Sequence, residues 1–155
     1  MGSWQEGKEA ENMFIIMRGD NFIRRSNRNE DIHEHWDVLD RELGKVDVKA
    51  SKRLYRHGDV DDTVWWELKT VKRPPNGKSK KGWGVPNGID RFIAVKIRDT
   101  FLLIKPENII EDLRKRCTSF YRGEFGLHSR PGRGDLTTIL PHSYIYDNYT
   151  FGVNL

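Results

Sequence analysis

The sequence predicts an α/β fold, one domain over residues 1–155 with a mixed central β-sheet flanked by helices. Three observations predict it. Residues 46–49 and 65–71 alternate apolar with polar side chains at the period of a strand. Residues 92–97 and 100–104 are rich in branched and aromatic side chains and are joined by Arg98-Asp99, the pattern of a hairpin. Residues 4–18 and 106–116 repeat apolar residues at helical spacing. The apolar content of 36%, with 11% aromatic, supports a folded core, and no repeat or linker divides the chain.

In chain order, Ser3 with Glu6 reads as a capping box. Ala10, Met13, Phe14 and Met17 then form an apolar stripe that Gly19 ends. Phe22-Ile23 is a short extended piece, followed by a polar loop over residues 24–31. Residues 32–39 alternate, with Trp36 and Val38 on one face and His33, His35 and Asp37 on the other. Gly44 returns the chain into residues 45–51, so the two stretches predict a hairpin. Residues 52–62 form a polar connection to a third strand at residues 63–72. Pro74-Pro75-Asn76-Gly77 cannot continue a sheet, because proline lacks a donor and Asn-Gly favours a turn. Pro106 opens a second helix to Arg116, whose Arg114, Lys115 and Arg116 suit its C-terminus. Beyond residue 118, residues 136–140 and 143–153 are further strand candidates.

The net charge of +4 is mild, but its distribution is uneven. Acids are concentrated in residues 30–62, whereas Lys69, Lys72, Arg73, Lys78, Lys80 and Lys81 form a run with no acid between them. An acidic patch can hold a cation and a basic loop can hold a phosphodiester backbone; a merely solvated loop is the plainer alternative. A single cysteine, Cys117, excludes an intramolecular disulfide and a cysteine-based zinc site. No apolar run approaches a membrane span and Met1-Gly2-Ser3 leads into no signal-peptide core, so a soluble, cytoplasmic protein with no membrane partner is expected.

The chemistry centres on two strands. In Trp66-Glu67-Leu68-Lys69, Glu67 and Lys69 share a face; Asp47 and Lys49 repeat the arrangement one strand earlier. If these strands pair, two carboxylates and one or two lysines converge. Carboxylates are hard ligands suited to magnesium, and a neighbouring lysine can orient a metal-bound water or neutralise charge developing on a phosphate. His33-x-His35-x-Asp37 also reads as a transition-metal triad, against the plainer reading of polar strand surface.

This spacing resembles the PD-(D/E)xK, or restriction-endonuclease-like, nuclease superfamily, and its small phage-type members in particular. The matching stretches are Glu34-His35-Trp36-Asp37, Val46-Asp47-Val48-Lys49, Trp66-Glu67-Leu68-Lys69 and Gly82-Trp83, within residues 7–105. Val46 stands where the name-giving proline would be. The resemblance implies a restriction-endonuclease-like fold and a metal-dependent DNA endonuclease using Mg2+ or Mn2+, in a bacterial or phage-infected cell. Asp47, Glu67 and the Leu68 carbonyl would hold the metal, Lys69 would position or activate the water, and Glu11 of the first helix would stand nearby. Lys49 joins the catalytic set. Asp37 joins it if residues 42–44 form a three-residue loop with Gly44 left-handed, which sets Asp37 opposite Lys49 on the face of Asp47. DNA would be held by Lys72, Arg73, Lys78, Lys80 and Lys81, by Arg53 and Arg56, and by Trp83 stacking on a base or ribose. A non-catalytic nucleic-acid-binding module on the same fold is the alternative, and a homodimer stays open.

Overall fold

The computed structural model describes residues 3–51, 63–71, 79–119, 123–129 and 135–154. The first helix, α1 (Ser3–Arg18), stops where Gly19 turns left-handed at φ +50 and a 3-10 turn begins. β1 (Phe22–Arg25) follows, and then the chain departs from the alternating pattern. Residues 28–34 form a helix, α2 (Arg28–Glu34), in place of the expected loop and the start of a strand. Asn27 and Glu30 close a reciprocal capping box that starts it, and His35 ends it in the left-handed region at φ 57. The expected strand is therefore only β2 (Val38–Asp40).

β2 and β3 (Gly44–Lys49) form the expected hairpin, with Val38 opposite Val46 and Asp40 opposite Gly44, so its loop is residues 41–43. Gly44 has φ +78, a conformation glycine adopts without a Cβ clash. Asp40 fixes the tip: one carboxylate oxygen accepts the Glu42 and Leu43 N–H groups, both at 2.9 Å, while Arg18 donates to the carboxylate at 2.7 and 3.1 Å. The register lies two residues from the expected one, which preserves the parity of every side chain.

β4 (Thr63–Val71) does not pair with β3. The neighbour of β3 is β6 (Arg91–Ile97), parallel to it, with Asp47 opposite Ile93. β6 and β7 (Thr100–Ile104) are apolar on both faces, as interior strands of a covered sheet must be, and this claims the position expected for β4. With β10 (Phe151–Asn154), the large sheet runs β1-β2-β3-β6-β7-β10. β4 is instead central to a four-stranded antiparallel sheet with β5 (Ser79–Lys81), β8 (Leu127–His128) and β9 (Leu136–Pro141), in the order β5-β4-β9-β8.

The core has two layers around the large sheet. On one face Ala10 and Phe14 of α1 pack on Val38, Val46, Val48, Ala94, Phe101 and Leu103. On the other face Ile93, Val95, Ile97 and Ile104 meet Val64, Trp66 and Leu140 of the small sheet, with Ile109 and Leu113 of α3 (Pro106–Arg116) and Tyr144 and Ile145 of α4 (His142–Asn148). α4 replaces the first part of the strand expected over residues 143–153; it buries Tyr144 and Ile145 side by side, and the Tyr144 hydroxyl donates to Asp112 at 2.7 Å.

Candidate active site

The β2–β3 hairpin and the start of β2 bring two carboxylates together. One step before the Val38–Val46 pair, the Asp37 N–H donates to the Val46 carbonyl at 2.9 Å, and the Asp37 carboxylate accepts the Val48 N–H at 2.8 Å. The carboxylate thus closes over the strand beside Asp47 instead of lying opposite Lys49. Asp47 is buried; its Oδ1 pairs with Lys49 Nζ at 2.9 Å, and its Oδ2 lies 3.8 Å from Arg91 Nη1 without a hydrogen-bond partner. Arg91 is fully buried, and its Nη2 donates to the carbonyls of Trp83 at 2.7 Å and Val85 at 3.2 Å. The Lys49 ammonium lies 4.8 Å over the Trp83 ring.

Asp37 and Lys49 line an open cavity of about 450 Å3, together with Glu11 and Lys8 of α1, Asp31 of α2 and the indoles of Trp4, Trp65 and Trp83, while Asp47 and Arg91 are buried behind its wall. A smaller cavity of about 190 Å3 shares Lys8, Glu11, Asp31 and Asp37 and continues to Arg25 and Arg28. Burial first, and then the charge of Asp47 and a hydrogen bond to it, push Asp37 up to about 7. Burial and the Asp37 charge also raise Glu11, against the opposing pull of Lys8 and Arg25, and raise Asp31. Burial works against the Lys49 ammonium, but Asp47, Asp37 and Glu67 outweigh it and hold its pKa above the ordinary lysine value. Glu11 is ion-paired to Arg25 and, at 3.6 Å, to Lys8.

The carboxylate–lysine pair nearest the cavity is therefore Asp47–Lys49, of which Lys49 lines it and Asp47 lies buried behind. Glu67 and Lys69 do not join it on a paired strand, because β3 and β4 belong to different sheets. Lys69 is exposed, lies across from Lys81 in the small sheet and does not line the cavity. Glu67 acts on Lys49 through charge and accepts the Trp83 N–H at 3.4 Å. The Leu68 carbonyl accepts the Gly82 N–H at 3.0 Å, and the Leu68 side chain packs on the core. Lys80 is half-buried, and the Lys81 ammonium donates to the Pro86 carbonyl at 3.3 Å. Arg53, Arg56, Lys72, Arg73 and Lys78 lie outside the described residues.

The His33-x-His35-x-Asp37 triad loses its basis, since His33 is in α2, His35 is its left-handed cap and no strand aligns them. Among the described residues no three His, Cys, Asp or Glu side chains form a metal-binding group. Trp4, Trp65, Asp31, Arg25, Arg28 and Arg91 were not among the expected site residues. Trp65 was legible as the outward member of a Trp65-Trp66 pair on a strand. Arg91 had no signal, because an arginine ahead of an apolar run reads as solvated.

Comparison with known proteins finds no matching family model, no matching curated protein and no matching solved structure. What the fold and site define is an α/β protein with a mixed sheet and a cavity lined by three carboxylates, two lysines and three indoles. No helix among the described residues is long and apolar enough to cross a membrane.

Proposed function

We propose that the protein is a metal-dependent DNA endonuclease with a restriction-endonuclease-like core. The reading is carried by one observation: Asp37, on the wall of an open cavity, is crowded by the buried Asp47 behind it, and Lys49, bonded to Asp47, lines the same cavity, whose neighbour reaches Arg25 and Arg28. Crowding two carboxylates is costly unless a proton or cation offsets the repulsion, and burial first, then this crowding by Asp47, holds Asp37 at about 7.

The residues fit a magnesium-type ion. Such an ion keeps several waters and needs only one or two carboxylates, so Asp37 and Asp47, with its unsatisfied Oδ2, suffice where no three-ligand group is described. Bound there, Mg2+ or Mn2+ supplies Lewis-acid polarisation and a lowered water pKa. Asp37 and Asp47 would hold it. The Lys49 ammonium, 28% exposed, would orient the attacking water and offset negative charge at the phosphate. Lys8, Arg25 and Arg28 would bind flanking phosphates, and Glu11, between Lys8 and Arg25, would set their positions. In this reading the roles expected of Glu67 and Lys69 pass to Asp37 and Lys49, and Asp47 keeps the one expected of it.

One observation favours the second reading, a non-catalytic DNA-binding module: Asp47 already has Lys49 on one oxygen and Arg91 near the other. Incubating the protein with plasmid, single strands and a four-way junction, with and without Mg2+ or Mn2+, decides between them. Metal-dependent cleavage that is lost in Asp47→Asn and Lys49→Ala and kept in Lys69→Ala is the expected result. Cleavage that survives both of the first two substitutions overturns the site, and binding without cleavage in either metal leaves the binding module.

A further inference from the structure

Of the five tryptophans in the sequence, Trp36 and Trp66 are fully buried, and the other three line the larger cavity. Burying an indole removes about 150–250 Å2 from water and is among the larger contributions one side chain makes to a core. Trp4 at 77% exposure and Trp65 at 37%, whose ring lies 6.3 Å from that of His128, forgo part of that. They come from α1 and β4, and Trp83 from the turn after β5, so the three converge through tertiary structure alone.

Trp83 is held rigidly from behind. Its ring packs on Trp66 with centroids 4.9 Å apart, Arg91 holds its carbonyl at 2.7 Å, and Lys49 lies over it at 4.8 Å. An aromatic platform is thereby fixed directly beside the Asp47–Lys49 pair. The smaller cavity leads the other way, to Arg25 and Arg28, whose guanidinium groups suit phosphate oxygens. The two cavities share Lys8, Glu11, Asp31 and Asp37, with the indoles on one side of these residues and the two arginines on the other. Bases in an intact duplex are stacked on one another and offer no free face to an indole; an unpaired base does.

The geometry points to a DNA substrate with at least one unpaired nucleobase stacked among Trp4, Trp65 and Trp83 while the adjoining phosphates run toward Arg25 and Arg28. The favoured substrate is then single-stranded DNA, or duplex with a single-stranded arm, over fully paired duplex. This builds on the nuclease reading of the same site.

The test measures anisotropy of labelled single strand, blunt duplex and tailed duplex at fixed salt with Ca2+, alongside cleavage of the same molecules with Mg2+ or Mn2+. Single strand and tailed duplex should bind about tenfold or more tighter than blunt duplex. Trp4→Ala and Trp65→Ala should each lower single-strand affinity about fivefold or more and leave blunt-duplex affinity unchanged. Trp4 is exposed enough that its replacement keeps the fold, which a thermal melt verifies. Equal binding of single strand and blunt duplex, or a single-strand preference intact in both variants, overturns the inference. Equal cleavage of all three forms overturns it and leaves the nuclease reading in place; a tryptophan-dependent preference without cleavage supports the stacking site and removes the nuclease reading.

Discussion

Replacing Asp37 by asparagine should make the protein more stable and inactive. The carboxyl rises from an ordinary 3.8 to about 7, because ionising it beside Asp47 in a buried position is unfavourable. That rise corresponds to about 4 kcal/mol of disfavoured ionisation, an upper limit. At pH 3 Asp37 is protonated in the folded and unfolded chain alike, and it places no burden on folding. As pH climbs from 4 toward 7 the unfolded chain releases the proton and the folded one keeps it, so stability falls, and the loss is complete above 7. Asparagine never ionises, and its side-chain oxygen can still accept the Val48 N–H. If about 2 kcal/mol survives solvent screening, Asp37→Asn should melt roughly 4 to 8 °C above the parent at pH 8, with a smaller gap at pH 5. Calorimetry of both proteins across that range, without divalent metal, measures it. Millimolar Mg2+ at pH 8 should then raise the parent's midpoint and not the variant's. A variant that melts below the parent at pH 8, or a gap that does not change between pH 5 and 8, refutes the reasoning.

Trp66→Ala should cost about 3–5 kcal/mol in denaturant melts, since the side chain is fully buried and its indole N–H donates to the Gly84 carbonyl at 2.8 Å. Gly84→Ala should be nearly as damaging by the same assay, because a Cβ there would meet the Trp66 indole nitrogen at 2.1 Å. Arg28→Ala should lower the slope of log K against log salt for duplex binding by about 0.9, the loss of one phosphate contact, whereas an unchanged slope would mean that the strand does not pass the smaller cavity.

The elements legible in the sequence were those whose local signal matches their tertiary role. α1, the β6–β7 hairpin and α3 combine a clear period with a defined stop, and all three form over nearly the expected residues. Residues 28–35 were misread because His33, His35 and Asp37 alternate with apolar neighbours, while the stronger signal, Asn27 three residues before Glu30, is a capping box. The pairing of β4 was not legible at all. Glu67 and Lys69 mimic the polarity of Asp47 and Lys49, and only the long-range competition won by β6, apolar on both faces, separates the two strands into different sheets. Of the site, Asp37, Asp47, Lys49 and Glu11 were accessible through parity and an edge-of-stripe position. The convergence of three indoles from distant segments was not, since nothing local to Trp4, Trp65 or Trp83 encodes it.

The carboxylate of Asp40 joins the end of α1 to the tip of the hairpin, three residues along the strand from Asp37, or about 10 Å. It touches neither cavity. Yet a one-residue slip of β2 would turn Asp37 to the opposite face, so what happens at the tip is transmitted to the Asp37 end as an on or off choice rather than a graded one. Under the proposed nuclease reading, a mutational scan scored by activity alone would therefore rank Arg18 and Asp40 with Asp37, Asp47 and Lys49. The same lever makes the tip a place for engineered control: a group that competes for the Arg18 guanidinium would, from a surface outside both cavities, displace Asp37.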